Sequence, residues 1–465
     1  MSGRPALPGG PYLVLGLARS GHPAALALRE RGQEVIGVDA GHPEGVDALR
    51  AAGVELHVGW DGEPSGLLRR VRTVVKSPGV PGSSPLLGAA RSAGLTVIGE
   101  LELAWRMVPN EVVAVTGTNG KTTTTELIGH LHRTAEVPVA LAGNVGRALS
   151  SFALSEAPVD PRATVVCEVS SFQLEDAIAF APQVAVLLNL TPDHLDRHES
   201  LAAYRAAKLS VFARQREGDL ALLPAGFAVD LRALGSHARE LRFGGSGAGE
   251  GFVFERDGMI RCASLAEPLM EAGELSLRGE HNLQNAMAAA AACLARGLPA
   301  EAVSAGLASF PGVRHRLEEL GRIDGALYVN DSKATNVAST IVALRALCPE
   351  REGEGEGGAD IHLILGGLGK GQDFGPLAAP VGRCVTAVYL IGEDAPSIER
   401  ALATGARPLH ACGTIERAFE RARAAARPGD VVLLSPGCAS FDQFADYEAR
   451  GDRFRELFGS LAREA

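Results

Sequence analysis

The segment from Val112 to Thr125 constrains the fold of this chain more than any other part of the sequence. Val112 to Val115 is a short β-branched run, the loop TGTNGKTTTT follows from Thr116 to Thr125, and a helical pattern begins at Glu126. Glycines let backbone N–H groups converge on phosphate oxygens, and the helix that follows adds its own unpaired N–H groups. A strand, a phosphate-binding loop and a helix in this order predict an α/β fold built on parallel strands.

The side chains of the loop indicate nucleotide binding. The spacing departs from a strict Walker A motif, because Val115 stands five positions before Gly120, but a lysine, a hydroxyl residue and a helix still follow in order. The ammonium of Lys121 can reach the terminal phosphates, and the hydroxyl of Thr122 stands where a Mg²⁺ ligand is expected. The loop residues predicted to bind the nucleotide are Gly117, Thr118, Asn119, Gly120, Lys121, Thr122 and Thr123.

Length and charge narrow the class of protein. A chain of 465 residues is too long for one core and suggests about three domains, which we place at residues 1–99, 100–312 and 313–465. A formal charge of −10 argues against non-specific binding to nucleic acid or to an anionic membrane. The sequence has no signal-peptide pattern and no transmembrane stretch, so we expect a cytoplasmic, monomeric protein that binds neither nucleic acid nor membrane. Its seven scattered cysteines predict buried thiols in a reducing compartment, not disulfides or zinc ligands.

The first hundred residues predict a second phosphate-binding turn. The turn GLARSG, from Gly16 to Gly21, lies between an apolar run and a helical pattern, and the next apolar run ends in Asp39. The turn can hold a phosphate and Asp39 can accept hydrogen bonds from a nucleoside, although a merely tight turn is an alternative. The GxGxxG dinucleotide fingerprint is absent, which disfavours NAD. The strand and Ser-Pro-Gly turn in VVKSPGV, from Val74 to Val80, predict another loop on the same edge.

Two acidic segments follow the phosphate loop, each at the predicted end of a strand. One strand ends in Glu168, and the other leads into TPDHLDRH, which contains His194. Either segment alone is more often a turn or a helix cap, but together, downstream of a phosphate loop, they predict a metal site with oxygen ligands. Lys208 lies further on, in a helical pattern where a lysine is normally solvated.

Lysine is rare in this chain, which makes each lysine a candidate for special chemistry. The chain has 45 basic side chains, and arginine accounts for all of them except Lys76, Lys121, Lys208, Lys333 and Lys370. A lysine amine can lose its charge when desolvated, which an arginine guanidinium cannot do. Lys76 has no role that we can assign, and we interpret it as an exposed charge.

Several motifs together resemble the Mur ligase family over nearly the whole chain. They are GTNGKTTT, EVSSFQLE, NLTPDHLDRH, YRAAKLSVF, GEHNLQNAMAA, GVRHRLE, NDSKATN, LGGLGKGQDF and LLSPGCASFDQF. The resemblance implies a Rossmann-like substrate domain, a central ATPase domain and a C-terminal Rossmann-like domain. Within the family it points to the members that use ATP to join D-glutamate to UDP-N-acetylmuramoyl-L-alanine through an acyl phosphate.

The resemblance also implies the roles of particular residues. Lys121, Thr122, Glu168 and His194 would surround the phosphates and Mg²⁺, and Lys208 would be carbamylated by CO₂ to help hold the metal. The adenosine and phosphate contacts would be Asn282, Asn285, Arg316 and Asp331. The UDP-substrate contacts would be Gly16, Ser20, Gly21, Asp39, Ser77 and Asn144. The D-glutamate end would contain Lys333, Thr335, Lys370, Ser440 and Tyr447, of which Lys333 and Lys370 would take part in catalysis.

The sequence departs from the family pattern at two positions, and it leaves two alternative functions open. Tyr447 stands where the family pattern usually has phenylalanine, and Ala40 stands where a hydroxyl residue is common. The first alternative is another ligase of the superfamily, such as one that adds L-alanine or extends folate with γ-glutamate. The second is a regulatory switch that binds nucleotide and ligates nothing, which leaves the lysine- and glycine-rich C-terminal loops unexplained.

Overall fold

The structure is a computed structural model that describes residues 3–461 except positions 145, 157, 192–199, 247–250, 278, 349–359, 404 and 406. The chain divides into two compact units, Met1–Phe310 and Pro311–Ala465. Three sheets carry the architecture, with two in the first unit and one in the second. This arrangement confirms the predicted α/β class.

The first sheet has five parallel strands in the order β3-β2-β1-β4-β5. Its apolar runs are buried because helices cover both faces, as parallel sheets require. The strands are β1 (Tyr12–Leu15), β2 (Val35–Asp39), β3 (Glu55–Val58), β4 (Thr73–Lys76) and β5 (Thr96–Gly99). The helices are α1 (Gly21–Glu30), α2 (Val46–Ala51), α3 (Pro64–Leu68) and α4 (Pro85–Ser92).

The second sheet has nine strands in the order β14-β13-β12-β11-β10-β9-β6-β8-β7. The strands are β6 (Val112–Thr116), β7 (Val139–Gly143), β8 (Thr164–Glu168), β9 (Val184–Leu187), β10 (Leu220–Pro224), β11 (Arg239–Ser246), β12 (Val253–Arg256), β13 (Met259–Cys262) and β14 (Met270–Glu271). Its helices are α5 (Glu100–Met107), α6 (Lys121–Thr134), α7 (Ser171–Leu174), α8 (Leu201–Leu209), α9 (Glu280–Ala295) and α10 (Ala300–Ser309). The strands β7, β8, β6 and β9 are parallel neighbours, so the loops at their carboxyl ends share one edge.

The sheet of the second unit has six strands in the order β15-β16-β20-β17-β18-β19. The strands are β15 (Glu318–Ile323), β16 (Ala326–Asn330), β17 (Ile361–Gly366), β18 (Val385–Ile391), β19 (Leu409–Gly413) and β20 (Val431–Leu434). Its helices are α11 (Val337–Leu347), α12 (Ala378–Cys384), α13 (Ala395–Leu402), α14 (Ile415–Ala425) and α15 (Tyr447–Leu461). The strands β16, β20 and β17 are parallel neighbours, which brings three loops to a common edge.

The cysteine prediction is wrong for one pair. Cys348 and Cys384 form a disulfide, although 36 residues separate them in sequence, because the ends of α11 and α12 bring their Cα atoms to 6.0 Å. The other five cysteines are free and buried, as predicted. Spacing in the sequence gave no sign of this pairing, since neither cysteine belongs to a paired motif.

None of the helices within residues 3–461, outside the gaps given above, is long and apolar enough to cross a bilayer.

Candidate active site

The phosphate loop connects β6 to α6 at the carboxyl edge of the second sheet. Gly117 and Gly120 have φ angles of +153° and +84°, which a residue with a side chain rarely adopts. A Cβ atom at Gly120 would lie 2.3 Å from Oδ1 of Asn285, so the loop packs closely under α9. Asn189, which the sequence analysis did not single out, receives the Asn119 N–H at 2.9 Å and returns a hydrogen bond to the Asn119 carbonyl at 3.1 Å.

Two lysines meet on one carbonyl oxygen of this loop. Nζ of Lys121 donates to the Gly117 carbonyl at 2.9 Å, and Nζ of Lys208 donates to the same oxygen at 2.7 Å. Lys208 is 2% exposed, so it is not the solvated lysine that is normal on a helix. The ammonium groups of both lysines therefore lie against the phosphate loop.

A buried carboxylate lies beside the loop at the end of the neighbouring strand. Glu168 ends β8, is 3% exposed, and accepts a hydrogen bond at Oε1 from the side chain of Asn144 at 3.1 Å. Its second oxygen, Oε2, is buried and has no hydrogen-bond partner within the part of the chain that the structure describes. An unpaired buried carboxylate oxygen is costly, and a hard divalent cation would compensate it.

The remaining part of the predicted metal site cannot be placed. His194 lies within positions 192–199, outside the described residues. Among the residues that are described, no group of three or more His, Cys, Asp or Glu side chains is arranged to hold a metal ion. The predicted ligands Thr122, Glu168 and Lys208 all lie at the carboxyl edge of the second sheet or on the helices beside it.

The predicted adenosine contacts of the first unit lie at the start of α9. Asn285 is 5% exposed and donates from Nδ2 to Oδ1 of Asn282 at 3.2 Å, one turn away on the same helix. This pair lies next to the phosphate loop, because the Asn285 side chain packs closely against Gly120. Thr118, on the other side of the loop, shares a hydrogen bond of 3.0 Å with the hydroxyl of Tyr204 on α8.

The turn after β1 is built by close backbone contacts. A Cβ atom at Gly21 would lie 1.7 Å from the Gly16 carbonyl, so only glycine fits at the start of α1. The Ser77 hydroxyl donates to the same carbonyl at 2.6 Å. Ser20, the residue before α1, accepts a hydrogen bond at its carbonyl from the Ser150 hydroxyl at 3.3 Å. The predicted residues Gly16, Ser20, Gly21 and Ser77 are therefore brought together.

Asp39 has a structural function in the same turn. Its Oδ2 accepts the Leu17 N–H at 2.7 Å, and its Oδ1 accepts the Gly41 N–H at 2.8 Å. The sequence analysis expected this carboxylate to accept hydrogen bonds from a nucleoside. In the structure both oxygens accept backbone N–H groups that shape the two loops.

The interpretation of Lys76 as an exposed charge is wrong. Lys76 ends β4, is 1% exposed, and places Nζ 2.5 Å from Oδ2 of Asp176. Asp176 lies far along the chain, beyond α7 of the second sheet, so the local sequence around Lys76 could not reveal its partner. The scarcity of lysine was the only signal that the position is unusual.

Three loops meet at the carboxyl edge of the second unit. Asp331, directly after β16, accepts the Ser435 hydroxyl at Oδ2 (2.7 Å) and the Leu317 N–H at Oδ1 (3.2 Å). Burial raises the pKa of Asp331 to about 7, while the hydrogen bond from Ser435 opposes that rise. This carboxyl group is thus held close to the balance between its neutral and charged forms near neutral pH.

The predicted D-glutamate residues occupy these same loops. Nζ of Lys333 lies over the ring of Tyr447 at 5.5 Å, and Nζ of Lys370 lies over the ring of Phe441 at 5.5 Å. Lys370 has a φ of +54°, an uncommon backbone conformation for a side-chain-bearing residue. The other members are Thr335, whose N–H donates to the Lys333 carbonyl, and the buried Ser440. Arg316, which was predicted to contact the nucleotide, donates its N–H to the Val313 carbonyl.

Arg450, which no sequence motif indicated, connects two of these loops. Arg450 lies on α15, is 1% exposed, and donates hydrogen bonds to the carbonyls of Ser332 (2.8 Å), Cys438 (3.0 Å) and Ala439 (3.3 Å). Its Nε also donates to the Ser332 hydroxyl at 3.0 Å, and burial lowers its pKa to about 10. In a chain so rich in arginine, nothing in the sequence distinguished this residue.

Replacing Arg450 with methionine should lower the free energy of unfolding by about 2–4 kcal/mol, because several buried carbonyls would lose a charged donor. Urea denaturation followed by circular dichroism would measure the change. Arg453→Met on the same helix is the control, since Arg453 pairs with Glu416 and Glu456 at the surface and should cost under about 1 kcal/mol. Equal losses for the two variants would contradict the structural role of Arg450.

The geometry defines a class of protein, and comparison with known proteins identifies the family. At the edge of a parallel sheet, two lysines donate to one carbonyl of a phosphate loop, and a buried carboxylate lies beside it. This arrangement is typical of a nucleotide-binding α/β enzyme. The family model described as the Mur ligase middle domain matches residues 115–293, and the one described as the Mur ligase, glutamate ligase domain matches residues 315–438. The chain belongs to the Mur ligase family.

Full-length relatives are more specific. The chain is 43% identical to a protein of Myxococcus xanthus, over 98% of this chain and 99% of that protein, and 42% identical to one of Pelotomaculum thermopropionicum, over 97% of each. Both relatives are named UDP-N-acetylmuramoylalanine--D-glutamate ligase. Among solved structures, UDP-N-acetylmuramate-alanine ligase MurC from Thermotoga maritima shares the fold with a TM-score of 0.59 at 19% identity, covering 97% of this chain and 100% of that one.

Proposed function

We propose that this protein is an ATP-dependent ligase that joins D-glutamate to UDP-N-acetylmuramoyl-L-alanine during synthesis of the peptidoglycan precursor. The observation that carries the proposal is the full-length similarity to relatives of that name, in a chain whose phosphate loop has the required geometry. The proposed reaction has three substrates, which are ATP, the UDP-linked acid and the amino acid.

The reaction requires activation of an unreactive carboxylate. The terminal phosphoryl group of ATP passes to a carboxylate oxygen of the UDP-linked L-alanine, which gives an acyl phosphate and ADP. The amine of D-glutamate then attacks the carbonyl carbon, the bond to the phosphate oxygen breaks, and the nitrogen loses a proton to give the amide and phosphate. Because both steps concentrate negative charge, the residues mainly supply positioning and charge compensation.

The first unit would bind the phosphates. The N-terminus of α6 lies at that edge, where the helix dipole favours an anion, and Lys121 supplies a point charge at the same place. A phosphate oxygen would replace the loop carbonyls as the partner of the Lys121 ammonium. Asn282 and Asn285 would contact the nucleotide from α9, and Arg316 and Asp331 of the second unit are proposed as further nucleotide contacts.

We propose that Mg²⁺ binds beside the loop through Glu168, with Thr122, His194 and modified Lys208 as the other candidates. The unpaired Oε2 of Glu168 fits this assignment, because a carboxylate oxygen is the ligand type that Mg²⁺ prefers. The bound cation would neutralise charge on the phosphates. Asn144, which donates to Oε1, fixes the orientation of the Glu168 carboxylate.

Carbamylation of Lys208 would change the charge beside Lys121. The ammonium first loses a proton, and the neutral amine then adds CO₂ and releases a second proton, which leaves an anionic carbamate opposite the Lys121 cation. Lys208 is buried at the edge where the proposed metal would need an anionic oxygen ligand. The shared Gly117 carbonyl therefore supports the modification that the family resemblance implies.

The two remaining substrates would bind at the other loop clusters. The turn that contains Gly16, Ser20, Gly21 and Ser77, shaped by Asp39, would hold the UDP portion, and Asn144 would lie toward its peptide end. In the second unit, Lys333, Thr335, Lys370, Ser440 and Tyr447 would bind the two carboxylates of D-glutamate, since cations and hydroxyl donors suit them. The cytoplasm, which contains ATP, is the proposed location, and a monomer is the proposed state.

Amino-acid-dependent ADP release tests the function. Purified protein with ATP, Mg²⁺ and UDP-N-acetylmuramoyl-L-alanine should release ADP and form amide with D-glutamate, and give little with L-glutamate, L-alanine, L-lysine or diaminopimelate. L-Glutamate is the sharpest control because it differs only in configuration. Amide formation with a different amino acid would assign another ligase specificity, and ATP hydrolysis without amide for any pair would favour the regulatory switch.

A further inference from the structure

Lys76 is the one lysine that the proposed reaction leaves without a role, and its surroundings are unusual. Its ammonium lies 2.5 Å from Oδ2 of Asp176 and 3.8 Å from Oε2 of Glu175. Lys76 is 1% exposed and Asp176 is 6% exposed, so both charges are removed from water. Lys76 ends a strand of the five-stranded sheet, whereas Asp176 follows α7 of the nine-stranded sheet. The ion pair therefore joins the two sheets of the first unit.

Asp176 is also the point where other groups of the first sheet meet the second. Arg91, in the last turn of α4, donates from Nη2 to Oδ1 of Asp176 at 3.1 Å. The backbone N–H of Gly99, which ends β5, donates to the Asp176 carbonyl at 3.0 Å. Three elements of the first sheet thus converge on one residue of the second. Removing one partner of a buried ion pair is costly because the other charge stays buried.

Short connections lead from this ion pair to the proposed UDP-substrate turn. Ser77 directly follows Lys76, and its hydroxyl donates to the Gly16 carbonyl at 2.6 Å. The Ser77 N–H also donates to the Leu15 carbonyl at 3.0 Å. A shift of the Lys76 backbone would therefore move the edge of the turn that contains Gly16 and Gly21.

On the other side of the ion pair, short connections lead to the proposed metal carboxylate. Asp176 follows α7, whose N-terminus is fixed by a reciprocal capping box between Ser170 and Gln173. Glu168 lies two positions before Ser170, at the end of β8. The distance from the substrate turn to Glu168 therefore depends on where Asp176, just after α7, pairs with Lys76.

We propose that Lys76 is a positioning residue that holds the UDP-substrate turn at a fixed place relative to Glu168 and the phosphate loop. This inference rests on the proposed function. The compact ammonium suits the position, because Oδ1 of Asp176 is already used by Arg91 and the Lys76 side chain itself is buried. The planar guanidinium of an arginine needs more space and different partners.

The variant Lys76→Met tests the inference, since it removes the charge and keeps a long side chain. A small displacement of a bound substrate can cost ~10²-fold in rate, so kcat/KM for UDP-N-acetylmuramoyl-L-alanine should fall ~10- to ~100-fold. The KM values for ATP and D-glutamate should change less than about threefold, because their proposed sites do not include the turn. Arg91→Met, which removes the half-exposed cation from the same carboxylate, is the matched control and should have little effect.

A double-mutant cycle with Asp176→Asn separates pairing from general damage. If the pair acts as a unit, Lys76→Met with Asp176→Asn should lose no more than the worse single variant. KM values for ATP and D-glutamate that rise as much as the KM for the UDP substrate, additive effects, or unchanged kinetics would each overturn the inference. If Lys76→Met does not fold, Asp176→Asn must show the same selective loss. Turnover of the unaltered protein with D-glutamate tests the proposed function separately. The inference about Lys76 depends only on how the kinetic constants of each variant compare with those of the unaltered protein.

Discussion

Replacing Lys208 with arginine should lower kcat by at least ~10³-fold, the upper range for loss of one preorganised charged group. Lys208 is buried and donates to the same carbonyl as Lys121. Arginine keeps the positive charge but cannot form a carbamate, so two permanent cations would face the phosphate loop and the proposed metal would lose a ligand. Steady-state kinetics at saturating substrates and Mg²⁺ would measure the loss.

A second variant distinguishes a missing carboxylate from a disturbed helix. Lys208→Ala should be similarly inactive, and formate or acetate at high concentration should restore part of its activity by entering the vacated space. Arg205→Met is the control on the same helix, because Arg205 is exposed, donates to the Ala228 carbonyl and lies over the ring of Phe227. Full activity of Lys208→Arg, or no rescue of a folded Lys208→Ala, would remove the carbamate from the mechanism.

Replacing Lys121 with alanine should lower kcat by ~10²- to ~10³-fold, since the developing charge on the transferred phosphoryl group would lose its point-charge partner. The Lys121 ammonium already lies on the loop, within hydrogen-bond distance of the carbonyls of Gly117 and Thr118. Kinetic measurements should show a larger change in kcat than in the KM for ATP, because the backbone N–H groups of the loop would still bind the ground-state phosphates.

The opposite end of the same helix supplies the control for Lys121. Arg133→Ala removes an exposed cation from the last turn of α6 and should leave kcat within about twofold. Lys121→Arg should recover only part of the activity, because its planar group is wider than an ammonium. Turnover of Lys121→Ala equal to that of the unaltered protein would contradict the assignment of this loop to phosphate binding.

The sequence was most informative where function and backbone geometry depend on the same local residues. Apolar runs such as those before Gly16, at Val112 and before Glu168 predicted strands, and these strands are present. Glycines and turn residues after them predicted loops at carboxyl ends, because parallel strands place those ends on one edge. The clustering of predicted residues within each unit follows from this topology.

The sequence was least informative for contacts between residues far apart in the chain. Lys76 is buried because it pairs with Asp176, and Arg450 is buried because it binds the loops after β16 and β20. The sequence around each cation gives no sign of these distant partners. The disulfide of Cys348 and Cys384 also depends on how two helices end in space. Each of these cases involves a buried group whose partner is chosen by tertiary packing, which local patterns do not encode.

The close contact between Gly120 and Asn285 has a consequence for how such an enzyme could be altered. A side chain at Gly120 would collide with Asn285, so we do not expect a single substitution there to create a new preference in the proposed phosphate site. The proposed amino-acid site instead uses the side chains of Thr335, Lys370 and Ser440. We therefore expect that changes at Thr335 and Ser440, with the proposed catalytic Lys370 kept, could let an engineered enzyme accept a different amino acid while its energy source stays the same.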